Sequence, residues 1–233
     1  PTCSVTFAAQ TSADGAGIVT VSNRVCDPNG DSCRLQIQAS TNGGTSWFSA
    51  WGSGVTSAYD SAIASTQSVV QVIDIRTTNA DYEVTATNEV TFSWATLSGC
   101  NGVSLAGGTF TGTLLRVMAD DGDVSSEAQI TQPFLVDNQS PSRQSASVTV
   151  EGGAPWTVNT NLSVEWSGFS DSGIGIGGYY CAFADDGGTT AGVWTTGTTV
   201  VAPTEGDDSV HTVHVWAADS FGNIGAATSG SIF

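Results

Sequence analysis

Ser40-Thr41-Asn42-Gly43-Gly44-Thr45-Ser46-Trp47 and, far downstream, Ala184-Asp185-Asp186-Gly187-Gly188-Thr189-Thr190 with Trp194 just after, follow one pattern. The first copy is followed by Leu115-Arg116-Val117-Met118-Ala119-Asp120. The second is followed by Val213-His214-Val215-Trp216-Ala217-Ala218-Asp219. Each copy reads as a strand, a Gly-Gly turn, a tryptophan and a later alternating strand that ends in Ala-Asp. Self-similarity of this kind reports a repeated unit of architecture before it reports any chemistry. More chain separates Gly43 from Asp120 than separates Gly187 from Asp219, so the first copy carries an insertion at about residues 49–108. Residues 69–76 and 82–86 inside it read as additional strands.

Strand signals dominate the rest of the chain. Residues 18–25, 35–39, 69–75, 90–94, 114–118 and 130–136 alternate or are rich in β-formers. Clusters of Gly, Asn, Asp and Ser separate them. The few helix-compatible stretches, such as residues 59–67, are short. A boundary falls where Pro133-Phe134-Leu135-Val136 runs into Asp137-Asn138-Gln139-Ser140-Pro141, because Pro141 blocks a continuing ladder. A new strand pattern starts at Ser147. The expectation is an all-β chain of two tandem β-sandwiches, residues 1–138 with the insertion and residues 139–233.

Composition narrows the partners. The chain of 233 residues carries 22 acidic side chains against 5 basic ones, a formal net charge of −17. The basic residues are Arg24, Arg34, Arg76, Arg116 and Arg143, and there is no lysine. Nucleic acid binding requires Lys or Arg to neutralise phosphates, so it is excluded as a function class. An anionic membrane surface repels such a chain, and no apolar run reaches the ~18 residues of a membrane span. Divalent cations or basic partners are the natural counter-charges. The start at Pro1, with a strand pattern at Val5 and Phe7, reads as a mature or trimmed chain.

Both copies resemble bacterial extracellular modules of the immunoglobulin or fibronectin type III kind. The matching residues are Asp27-Pro28-Asn29-Gly30-Asp31, the Gly-Gly turns, Leu115 to Gly122, Phe134 to Asn138, Ser170-Asp171-Ser172-Gly173-Ile174 and Ala218-Asp219-Ser220-Phe221-Gly222-Asn223. The resemblance covers most of the chain outside the insertion. Such modules occur in adhesins, surface layers and filaments, and as spacers in secreted enzymes. It implies a non-catalytic structural subunit at the cell surface or outside the cell that associates with identical copies. A carbohydrate- or host-surface-binding module, or an accessory part of a secreted hydrolase, is the alternative.

The acidic loops are the best candidate site. Asp27, Asn29 and Asp31 alternate, a spacing that turns oxygens toward one point and suits Ca²⁺. The closing Glu of the full twelve-residue loop is missing. A fibronectin-like topology places the loop after the second strand beside the loop before the last, which brings Asp120, Asp121 and Asp123 toward Asp27 and Asp31. Clustered carboxylates repel unless a cation or protons intervene. By the same topology Asp171, Asp219 and Asn223 face the linker that holds Asp137 and Asn138, a second candidate cation site.

Five cysteines are Cys3, Cys26, Cys33, Cys100 and Cys181, with no Cys-x-x-Cys pair, which argues against zinc. Cys26 and Cys33 flank a polar loop, and a disulfide is expected there. Cys3 is the candidate for a bond to another chain, and Cys181 for a buried core thiol. Asn138-Gln139-Ser140 and Asn161-Leu162-Ser163 match the glycosylation acceptor pattern. Trp47, Trp94, Trp166, Trp194 and Trp216 suit cores. Trp51 and Trp156 lie near turns and are candidates for stacking on sugar rings. His211 and His214, three apart on a strand, fall on opposite faces. Nucleophile and zinc-protease motifs are absent from the sequence, and the glycines of residues 173–178 suit a wide turn rather than a phosphate loop.

Overall fold

A computed structural model describes residues 1–50, 55–60, 65–68, 74–75, 88–98, 104–183, 192–203 and 210–233. The chain divides into two compact units. One comprises Pro1–Ser12 and Ala16–Asn138, the other Ala13–Gly15 and Gln139–Phe233.

The strands of the first unit are β1 (Thr2–Gln10), β2 (Ile18–Cys26), β3 (Cys33–Ser40), β4 (Phe48–Ser49), β5 (Val55–Asp60), β6 (Ser65–Ser68), β7 (Asp74–Ile75), β8 (Asn88–Ala95), β9 (Thr109–Asp120), β10 (Gln129–Ile130) and β11 (Phe134–Asp137). Those of the second are β12 (Ser147–Val150), β13 (Asn161–Ser167), β14 (Ile176–Phe183), β15 (Val193–Thr195), β16 (Thr199–Pro203), β17 (His211–Asp219) and β18 (Thr228–Ile232).

The second unit shows the underlying plan. A three-stranded sheet, β12-β13-β16, faces a four-stranded sheet, β15-β14-β17-β18, with every neighbouring pair antiparallel. Strands that switch between the two sheets in this order make the immunoglobulin and fibronectin type III sandwich. In the first unit β1-β2-β8 and β4-β3-β9-β10 repeat that order. The added strands fall between β4 and β8, where the repeat offset puts them. There β5 and β6 extend the first sheet beyond β8, and β7 pairs with β3. Of residues 69–76, only Asp74–Ile75 is described as strand, and residues 82–86 lie outside the described residues. Residues 59–60 and 65–67, read from sequence as helix-compatible, belong to β5 and β6. Pairing of β5 with β8, and of β6 with β5, overrides the weak local preference there.

Alternation sets the cores. Along β2 the residues Val19, Val21 and Val25 point inward, and along β9 so do Leu115, Val117 and Ala119. They meet Leu35, Ile37, Phe92 and Trp94, all essentially closed to solvent. In the second unit Leu162, Val164 and Trp166 of β13 face Val213 and Val215 of β17. Each fully buried side chain of this size contributes about 1.5–3 kcal/mol against exposure, enough for two independent cores.

The turn that revealed the repeat has a direct cause. Ser40 Oγ accepts the N–H groups of Asn42 and Gly44, and Asn42 Oδ1 accepts that of Ser46. Closing this loop sets Gly43 and Gly44 at φ +67° and +88°, a region open to glycine and costly to other residues. Its counterpart at residues 184–190 lies outside the described residues. Trp47 then covers Arg116, whose guanidinium carbon stands 4.5 Å from the ring centroid. Arg116 also donates to Gln38, its cross-strand partner.

Candidate functional site

Three loops share one construction. Each begins with an aspartate at or just before the loop, whose Oδ1 accepts the backbone N–H groups two and four residues on. Asp27 holds Asn29 and Asp31 (2.8 and 3.3 Å), Asp171 holds Gly173 and Gly175 (2.9 Å each), and Asp219 holds Phe221 and Asn223 (2.9 Å each). Such carboxylate-to-backbone bonds close a loop locally. They explain why the acidic residues recur at strand ends.

The loops differ at the second oxygen. Asp219 Oδ2 accepts the side-chain amide of its own Asn223 at 2.7 Å. Asp27 Oδ2 accepts no hydrogen bond, although Asp27 is only 1% exposed. The carboxylates of Asp27, Asp31 and Asp121 gather here, with one oxygen of each of the three within 4.8 Å of the others. The Pro1 nitrogen lies 3.3 Å from Asp27 Oδ2 and 3.9 Å from Asp121 Oδ2.

Asp120 and Asp123 do not join this group. Asp120 accepts from the Ser125 hydroxyl and the Gly122 N–H. Those donors hold its carboxyl below the usual range. Asp121 Oδ1 takes the N–H groups of Val124 and Asp123, which lower its pKa in the same way. Both contributions are therefore present at neutral pH and fade as pH falls through the lowered values. Asn29 contributes its backbone N–H, and its side chain is exposed.

Asp137 and Asn138, expected in a linker, are buried at the end of the first unit. The Asp137 carboxylate accepts from Thr109, while its backbone N–H and C=O are bracketed by the side chain of Gln10 at 2.8 and 3.0 Å. Asn138 spends its amide hydrogens on Thr96 Oγ1 (2.8 Å) and Leu105 O (3.0 Å). A glycan on Asn138 is therefore sterically and chemically blocked, which corrects the motif reading. Asn161 is exposed on β13.

Among the described cysteines, Cys181 is the buried core thiol expected, and Cys3 differs from expectation. Cys3, Cys26, Cys33 and Cys181 are all thiols in the structure. Cys26 ends a strand of one sheet and Cys33 starts a strand of the other, with the Cys33 sulfur turned to Asp31 O at 3.8 Å. The expected staple is thus not among the bonds present. Cys3 is buried, its sulfur 3.5 Å from Val117 O and 3.4 Å from Ser126 Oγ. It is not placed for a bond to another chain. Cys181 lies in the core of the second unit, and Cys100 lies outside the described residues.

Burial pushes the Cys33 thiol up to about 11, with Asp27 adding to the effect, and burial alone does the same for Cys181. Alkylation needs the thiolate. Both should label about 100-fold more slowly in the folded chain at pH 8 than after unfolding, since two pKa units remove that fraction of thiolate. Equal rates in the two states would contradict the burial described. Labelling in denaturant without reductant counts the thiols; absence of label from both Cys26 and Cys33 would mean that the staple had formed.

Among the tryptophans, Trp94, Trp166 and Trp216 are buried. Trp194 is 45% exposed and packs on Tyr180, ring centroids 4.8 Å apart. Strand β15 is an outer strand of its sheet, so its residues can face solvent, a distinction that composition does not carry. Trp156 is 64% exposed, and Trp51 lies outside the described residues. His214 stacks on Trp216.

No protein-family model matches the chain, and no curated protein matches its sequence. Solved structures similar to it include fibronectin(III)-like modules of CbhA from Clostridium thermocellum, at 14% identity and TM-score 0.39, covering all of this chain and 93% of that one. Another is the FN1–FN3 domains of chicken CNTN1, at 10% identity and TM-score 0.44, covering 98% of this chain and 65% of that one. A third is the chicken interferon gamma receptor alpha chain, at 8% identity and TM-score 0.32, covering 98% and 97%. The fold assignment itself rests on strand order and pairing. Each unit is a fibronectin type III-like β-sandwich. Among the described residues, no helix is long and apolar enough to cross a membrane.

Proposed function

We propose that the chain is a non-catalytic structural subunit of an extracellular bacterial assembly, such as a filament, surface layer or adhesin stalk, held together by contacts between identical copies. One observation carries this reading. Strand β1 is a terminal strand of the enlarged sheet β1-β2-β8-β5-β6, and it bulges between Val5 and Phe7 with Phe7 46% exposed. A sheet edge offers backbone donors and acceptors to a strand of a second subunit. The expected result is concentration-dependent association in light scattering and polymers in electron micrographs, both weakened in Phe7→Asp. A strictly monomeric protein at high concentration, in the presence of Ca²⁺, would overturn the reading.

The exposure of Trp156, and of the Trp194–Tyr180 pair, favours a second reading, a surface that binds glycans. Flat aromatic faces stack on sugar rings without needing charge. Glycan-array binding lost in Trp156→Ala or Trp194→Ala would replace the first reading with this one.

A further inference from the structure

We propose that Asp27, Asp31 and Asp121 bind a hard divalent cation, Ca²⁺, at one end of the first unit. The inference goes beyond assembly and does not depend on it. The deciding observation is the second oxygen of Asp27. It is buried and accepts no hydrogen bond, its contact being the Pro1 nitrogen at 3.3 Å, and its carboxylate stands beside two others, one oxygen of each within 4.8 Å of the rest. A buried carboxylate oxygen left without a donor is costly, and two adjacent carboxylates raise that cost.

The chain contains its own control for this argument. In the loop of the same construction at Asp219, the residue four positions on is Asn223, and its amide donates to the second oxygen. In the Asp27 loop that position holds Asp31, an acceptor-only group when ionised. The loop thus replaces an internal donor with another negative charge. Asp121 arrives from the turn after β9 and adds a third. At neutral pH a bound cation offsets these charges, as protons do at low pH.

The dimensions agree. Oxygens that share one Ca²⁺ at about 2.4 Å are at most ~4.8 Å apart, and the three carboxylate oxygens lie within that limit of one another. Three carboxylates leave the remaining positions of a six- to eight-oxygen shell to water. Asp31 is exposed, so water reaches the group from its side, while the Asp121 side chain is only 8% exposed.

The Pro1 nitrogen does not remove the need. As a peptide nitrogen, proline has neither charge nor N–H, and Asp27 Oδ2 then gains nothing from it. As a terminal ammonium it supplies one positive charge to three negative ones. An ammonium there competes with Ca²⁺ and weakens it, which sets the expected affinity at the loose end of the range for extracellular modules, about 10⁻⁴–10⁻³ M.

The test is calorimetric titration and thermal melting of the metal-stripped full chain with CaCl₂, against NaCl at equal ionic strength, for the wild type and Asp31→Asn. The wild type should bind Ca²⁺ with a dissociation constant near that range and gain on the order of 5 °C at tenfold excess over it. Amide NMR shifts should concentrate at residues 27–31 and 119–124. Asp31→Asn restores the internal donor of the Asp219 loop. It should melt at or above the calcium-free wild type and bind Ca²⁺ at least tenfold more weakly. No Ca²⁺-specific heat or melting shift in the wild type, shifts spread over unrelated acidic residues, or an unchanged Ca²⁺ response in Asp31→Asn would each overturn the proposal.

Discussion

Trp166→Ala is expected to destabilise the second unit by about 3–5 kcal/mol, the largest single effect that the structure assigns to one side chain there. Trp166 ends the inward-facing series Leu162, Val164, Trp166 on β13 and is 4% exposed. Its ring meets Tyr179 edge-on at 5.4 Å, and Tyr179 meets Phe169 in the same manner at 5.7 Å. Truncation to alanine removes the first ring of that chain and leaves a cavity between the two sheets, where the paired strands β12 and β16 on either side of β13 limit collapse. A unit of this size has a total stability of about 5–15 kcal/mol. The loss corresponds to a fall of roughly 15–30 °C in its melting temperature. The indole N–H of Trp166 meets no acceptor among the described residues. Trp166→Phe, which also discards that buried donor, should therefore cost clearly less than Trp166→Ala. Calorimetry of the two variants checks the order. Equal losses would show that the ring's volume is not what matters.

The second large effect is expected at Asp219. It is buried to 3% exposure and accepts from the N–H groups of Phe221 and Asn223 and from the Asn223 amide. Asp219→Ala removes all three acceptor contacts at once and leaves the buried Asn223 without them. Hydrogen bonds to a charged group are worth about 1.5–3 kcal/mol each, and an orphaned buried group costs a further share. The contacts are not additive, so a loss of about 3 kcal/mol is the expected total. Asp219→Asn keeps an oxygen that can serve the two backbone N–H groups and should retain more than half of the stability lost in the alanine variant. Denaturant unfolding of both variants measures this. A loss below about 1 kcal/mol in Asp219→Ala would mean that the loop is held by its backbone alone.

These two residues also mark where sequence was informative. The alternation of Leu162, Val164 and Trp166 reads directly as a strand with one buried face, because the side-chain period of a strand is two. The Gly-Gly turn after β3 is legible for a similar reason, since a left-handed pair demands glycine. The insertion was visible because one copy of a repeat measures the other. The acidic loops were legible as acidic, and their roles were not. Asp27, Asp171 and Asp219 use one oxygen identically to close a loop, and only the partner of the second oxygen separates a closed loop from a candidate ion site. That partner depends on where neighbouring turns arrive, as Asp121 does beside Asp27.

Other residues could not be placed from local pattern. The acceptor motif at Asn138 says nothing of the two acceptors that hold its amide. Cys3 lies close to the start of the sequence, yet β1 packs against β9 and buries it. Trp194 is exposed because β15 lies at a sheet edge, although the same residue type in β13 fills a core. In each case a long-range pairing decides the environment, and strand propensity is silent about it.

The chain folds as two sandwiches, each closed around its own core. The most direct test of this is the amide NMR spectrum of residues 139–233 expressed alone. The spectrum should be widely dispersed, with slow hydrogen exchange along β13, β14 and β17. A spectrum collapsed into the range of an unfolded chain would show that this half has no core of its own, and the tandem architecture would have to be abandoned.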